Sequence, residues 1–148
     1  MRERVSYEEY LEAHGSLTYT NVGVSMLPLL KEGRDLFTVE KKGEARCKVG
    51  DVVLYRRPPN QYVLHRIVEV RENDYVILGD NCVAKEYGIQ DGDVLAVLTG
   101  YVRKGKAHSV ADRSYRLYSW MILTFMPLRI FVKKCVLRLK SGVKKLLS

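Results

Sequence analysis

The chain has 148 residues, 47% hydrophobic and 28% charged, which suits one ordinary domain with an appended segment and excludes a disordered or low-complexity chain. Its three cysteines, at 47, 82 and 135, are odd in number and contain no C-x-x-C pair, excluding a zinc knuckle or a disulfide framework; no metal or organic cofactor is expected. The net charge of +8 is unevenly placed: residues 1–100 carry 13 Lys and Arg against 16 Asp and Glu, whereas residues 101–148 carry 12 against Asp112 alone. Such a basic tail points to anionic phosphates, of lipid or of nucleic acid.

The N-terminus, MRERVSYEEYLEAHG, is charged throughout and has no apolar run, so it reads as neither a signal peptide nor a membrane span. Ser6 and Glu9 form an S-x-x-E capping box, Val5 and Tyr10 are spaced as a hydrophobic staple, and Gly15 is a stop. A short helix is predicted over residues 6–14. From Leu17 to Lys104 the pattern changes to short strands: Leu17–Val22, Leu36–Val39, Val52–Arg56, Tyr62–Arg71, Tyr75–Leu78 and Asp93–Arg103. The turns between several of them are as short as Gly50-Asp51 and Pro58-Pro59-Asn60. Strands joined this way without long helices predict a mainly β domain over residues 1–106, an antiparallel sheet or partly open barrel.

Leu117–Leu128 (LYSWMILTFMPL) carries no charge, and Arg129 interrupts before Ile130-Phe131-Val132. This run makes ~24 Å of helix. A bilayer core needs ~20 residues, so spanning is marginal, and Pro127 predicts a kink. Beyond it Val132, Cys135, Val136, Leu139, Val143, Leu146 and Leu147 fall on one helical face, with Lys and Arg on the remainder. Residues 107–148 are therefore expected to form basic, amphipathic helices lying in a membrane interface, with Arg129, Lys133 and Lys134 reaching anionic headgroups. A helix docked on the β domain is the alternative.

The sharpest chemical signal is Val22-Gly23-Val24-Ser25-Met26-Leu27-Pro28. Gly23 lets the backbone turn sharply after a strand, which puts the Ser25 hydroxyl at a strand end where backbone N–H groups can meet a carbonyl oxygen. G-x-S-M-x-P resembles the nucleophile box of the signal peptidase I superfamily. Four further stretches follow in that superfamily's order: Lys31–Val39 (KEGRDLFTV), VGDVV at 49–53, VLHRI at 63–67 and LGDN at 78–81. The resemblance covers roughly residues 19–103. The superfamily divides by its general base, lysine or histidine, and His65-Arg66 resembles the endoplasmic-reticulum-type Ser–His branch. The resemblance implies the signal-peptidase type of β fold and a serine endopeptidase in which Ser25 attacks and His65 takes the proton. A third, acidic member would orient His65: Glu86, which aligns best, or Asp80 within the last box. A neutral imidazole can accept a proton near neutral pH. Gly23 and Met26 are expected to contact substrate, and the Ser25 N–H to serve as the main oxyanion donor, since Gly23 stands where many members carry a serine. His14 and His108 have no such context and read as surface residues.

The resemblance also implies an extended signal or leader peptide as substrate, lying along the strand edge near Leu17–Val22, with a small residue before the cut. The members that enter the membrane through an N-terminal helix differ from this chain, whose lipid-seeking segment is C-terminal. A membrane-associated catalytic domain on the cytoplasmic side is expected, with no nucleic acid as partner. Three other readings stand beside this one. A self-cleaving regulator of the same superfamily would need a lysine base. A phosphate- or nucleic-acid-binding module would leave the tail's apolar face unexplained. A degenerate, inactive member would account for the departures at Gly23 and Glu86.

Overall fold

Residues 5–148 are described by the computed structural model. The Ser6 hydroxyl accepts the Glu9 N–H at 3.2 Å, and the Glu9 carboxylate accepts the Ser6 N–H at 2.9 Å. This reciprocal cap starts α1 (Tyr7–His14), and Gly15, at φ 76°, ends it. Leu11 is buried, whereas Val5 and Tyr10 both remain exposed, so the expected staple does not cover them.

Eight strands follow among the described residues: β1 (Ser16–Thr20), β2 (Leu36–Lys41), β3 (Val52–Arg57), β4 (Gln61–Val70), β5 (Tyr75–Leu78), β6 (Glu86–Ile89), β7 (Val94–Arg103) and β8 (Lys106–Ser109). They make one open antiparallel sheet in the order β1-β2-β7-β3-β4-β5-β6, with β8 added to β7. The run from β3 to β6 is a meander of neighbours. The late strand β7 inserts between β2 and β3, tying the first half of the chain to the meander. β6 and β8 lack the alternating apolar residues that mark the other strands, and each pairs with one neighbour.

The sheet buries apolar side chains on both faces. Val52 and Leu54 join Met26, Leu30 and Val39 in one cluster; the alternate residues Val53 and Tyr55 join Ile67, Ile77 and Val94 in another. Each fully buried side chain of this size contributes ~1.5–3 kcal/mol.

The expected boundary after residue 106 does not divide the molecule. β8 extends the sheet beyond it, and Tyr115 on α2 (Arg113–Thr124) packs in the first cluster. Physically, Tyr115, Tyr118, Ser119 and Leu123 recur at helical spacing, giving α2 one face for the sheet. α3 (Met126–Leu147) begins after Phe125. Pro127 sits in its first turn, where a missing N–H costs little, so the chain breaks between two helices instead of kinking within one. No residue of α3 is buried, and among the described residues no helix is long and apolar enough to cross a membrane.

Candidate active site

Ser25 lies in the loop that leaves β1. Gly23 holds φ 81°, a left-handed conformation that favours glycine. Asn81, in the turn after β5, clamps the loop: its N–H donates to the Ser25 carbonyl at 2.8 Å and its side-chain amide to the Val24 carbonyl at 3.0 Å. The Ser25 N–H donates to no acceptor among the described residues, leaving it available to an incoming oxyanion.

His65 and Arg66 are neighbours on β4 and therefore point to opposite faces. The His65 ring is buried with its Nε2 toward Gly79 and the Ser25 loop. A methyl group on Gly79 would lie 3.0 Å from Nε2 and 2.8 Å from the Ser25 carbonyl oxygen, so only glycine lets these parts approach. Ser25 and His65 line one cleft of about 480 Å³, with Tyr19 and Thr20 of β1, Arg57, Tyr62 and Cys82 around them. No hydrogen bond joins the Ser25 hydroxyl to the ring among the described residues; such bonds commonly tighten only when substrate is bound. Burial is the main cause that lowers the His65 pKa below its usual 6.5; Arg57 adds to it, and Glu86 and Asp80 oppose it. Burial raises the Cys82 thiol above its usual 9.0, which keeps it protonated and a poor nucleophile.

The two candidate acids have different partners. Glu86 Oε1 stands 3.7 Å from His65 Nδ1, on the same face of the sheet, and is also paired with Arg57. Asp80 is buried and accepts two bonds from Arg66, at 2.8 Å each, and one from the Tyr118 hydroxyl at 2.7 Å. Arg66 in turn donates to the Gly50 carbonyl at 2.9 Å and the Ser119 hydroxyl at 2.8 Å. The VGDVV, VLHRI and LGDN stretches thus meet through Arg66. In KEGRDLFTV, Asp35 accepts from Arg34 and from the Lys31 and Lys104 N–H groups, and the Arg34 bond foremost holds its carboxyl well below the usual range.

Met26 is a correction. It was expected to touch substrate, but it is fully buried beneath the loop, packed in the first core cluster, and anchors the loop from below. Gly23 shapes the backbone and does not line the cleft. Four side chains escaped the sequence reading as parts of the site. Tyr55 and Arg57 share the His65 face because the β3–β4 register sets Val53 opposite His65 and Tyr55 opposite Val63. On α3, Arg129 donates to the Cys82 carbonyl at 2.8 Å, and Lys133 to the Asn81 side chain at 2.8 Å. Arg129 and Lys133, expected to reach headgroups, instead hold the turn that clamps the Ser25 loop. The arrangement offers a hydroxyl, a neutral buried imidazole, a free backbone N–H and an acid behind the ring. Among the described residues no cluster of side chains could hold a metal ion. The chain matches no protein-family model, no curated protein and no solved structure.

Proposed function

We propose that the chain is a serine endopeptidase of the signal-peptidase I type, from the Ser–His branch. The observation that carries this is the shared cleft: Ser25 and His65 face it together, with Nε2 toward the serine loop and Nδ1 toward Glu86. His65 Nε2 removes the Ser25 hydroxyl proton as Oγ attacks the scissile carbonyl. The negative oxygen of the tetrahedral intermediate takes the Ser25 N–H. The imidazolium returns the proton to the leaving amine, and an acyl-enzyme remains. Water, deprotonated by the same nitrogen, then attacks the ester and frees the serine. Glu86 supports the imidazolium, and Asp80 braces the fold.

The substrate is a signal or leader peptide, lying extended beside β1. β1 ends the sheet, and its Tyr19 and Thr20 already line the cleft. The partner surface is an anionic membrane. Leu128, Phe131, Leu139 and Leu146 on α3 are exposed, with Lys134, Arg138, Lys140, Lys144 and Lys145 available for headgroups. The activity is tested by incubating the full chain with a library of leader-type peptides and mapping cuts by mass spectrometry. Discrete cuts that vanish in Ser25→Ala support the reading; cuts that persist in it, or no cuts at all, reject it.

A further inference from the structure

We infer that Tyr55 is a positioning residue for His65, standing between the ring's Nδ1 and the Glu86 carboxylate and holding the tautomer whose Nε2 is free. This rests on the reading of His65 as the general base. For Nε2 to accept a proton, Nδ1 must carry one, and that N–H needs an acceptor. The groups around the ring are Tyr55 and Arg57 from β3, Glu86 from β6 and Cys82 in the turn after β5, while Asp80 reaches it only through its charge. Asp80 is occupied by Arg66 and Tyr118. The nearest acceptor to Nδ1 is the Tyr55 oxygen at 3.4 Å, closer than Glu86 Oε1 at 3.7 Å.

A phenol has one proton to give and two sites to receive. Arg57 Nη2 donates to the Tyr55 oxygen at 3.4 Å, and the Nδ1–H takes the second site. The Tyr55 hydroxyl keeps its proton and is left to turn it toward the neighbouring Glu86 carboxylate. Burial first, and then the charge and hydrogen bonding of Glu86, raise the phenol well above its usual 10.0, so it stays protonated throughout. Arg57 also donates to both Glu86 oxygens and so fixes the carboxylate behind the phenol. Tyr55 is fully buried among Val53, Ile67 and Ile77, and its ring has nowhere to swing. The order outward from the base is therefore His65, Tyr55, Glu86, Arg57. No proton leaves Tyr55; it orients the ring and passes the carboxylate's influence to the imidazolium.

The test uses the full chain with ¹⁵N-labelled histidine and, separately, 3-fluorotyrosine at position 55. In the wild type the His65 nitrogens should report the Nδ1–H tautomer. In Tyr55→Phe they should report a mixture, with kcat down about 10²-fold and KM within about twofold. The fluorine resonance should shift as His65 titrates, and the fluorotyrosine chain should keep most of the wild-type kcat; this arm does not depend on Tyr55→Phe folding. An unchanged tautomer in Tyr55→Phe, or a fluorine resonance indifferent to His65, overturns the inference. So does a tautomer lost in Glu86→Gln and kept in Tyr55→Phe, since the carboxylate would then act directly. If no peptide is cut, the peptidase reading falls, while the two resonance measurements still decide the role of Tyr55.

Discussion

His65 and Arg66 are adjacent on one strand, and the chain treats them in opposite ways. Arg66 is wholly enclosed and has acceptors on Asp80, Gly50, Tyr115 and Ser119 at 2.8–3.3 Å. His65 borders a cleft and has only long contacts, at 3.4 and 3.7 Å. A buried guanidinium must be fully paired or the fold loses several kcal/mol. A base that exchanges a proton needs one nitrogen left open. The acids divide likewise: Asp80 is paired with Arg66, and Glu86 lies on the His65 face, where it is proposed to act. Strand geometry sends two adjacent residues of one short motif to different faces, so on the proposed reading Arg66 serves stability and His65 serves chemistry.

The largest effect expected is on turnover. His65→Ala should lower peptide cleavage by at least about 10⁴-fold, and adding Ser25→Ala should cost nothing further, because the two act as a unit. Thermal melting should leave both variants folded. On the other face the order reverses. Asp80→Asn strands a buried guanidinium and should cost ~3–5 kcal/mol in urea unfolding. Glu86→Gln should cost under ~1 kcal/mol, since its carboxylate is partly exposed, while still lowering kcat. If Asp80→Asn keeps its stability and loses only activity, the division between the faces is wrong.

Truncation separates the two ends of the molecule in the same way. Ending the chain after Lys106 removes Tyr115, Tyr118 and Ser119 and uncovers the Arg66–Asp80 pair, so the sheet should fail to fold cooperatively. Ending it after Phe125 keeps that cover and should give a folded sheet, measured by circular dichroism. It also removes Arg129 and Lys133 from the 81–82 turn, so kcat should fall although the sheet persists.

Much of this was legible in the chain. The capping box and six of the strands follow from local pattern, and the order of five short motifs singled out Ser25 and His65, which line one cleft. The position of β7 between β2 and β3 was not, because nothing in a strand's own residues states its neighbour. β6 and β8 were missed because edge strands such as Glu86–Ile89 and Lys106–Ser109 need no apolar alternation. Met26 was misassigned because a motif reports spacing, and burial comes from what folds beneath it. Tyr55 and Arg57 stayed hidden since their role depends on β3–β4 register, which sets Tyr55 opposite Val63 and so on the His65 face.

Smaller effects come from pH and lipid. Because the folded His65 pKa lies below 6.5, the unfolded chain takes up this proton first as pH falls. The stability tied to neutral His65 is complete above 6.5, declines below it and is lost past the folded pKa. The acid limb of kcat/KM should likewise lie below 6.5, measured on the free enzyme. For the helices, flotation should show binding to anionic vesicles, with each near-surface Lys or Arg of α3 contributing ~1 kcal/mol. Added salt should weaken this only in part, because apolar contact remains. A chain that stays unbound at low salt would leave the α3 face without a lipid role.

The nucleophile proposed here is Ser25, activated by His65. Its most direct measurement is labelling of the native chain with a fluorophosphonate probe, the modified residue being located by peptide mass mapping. A single adduct on Ser25 is expected, forming rapidly above pH 6.5, orders of magnitude more slowly in His65→Ala, and not at all on a chain denatured before the probe is added. An adduct elsewhere, no adduct on Ser25, or labelling at the same rate without His65 would contradict it.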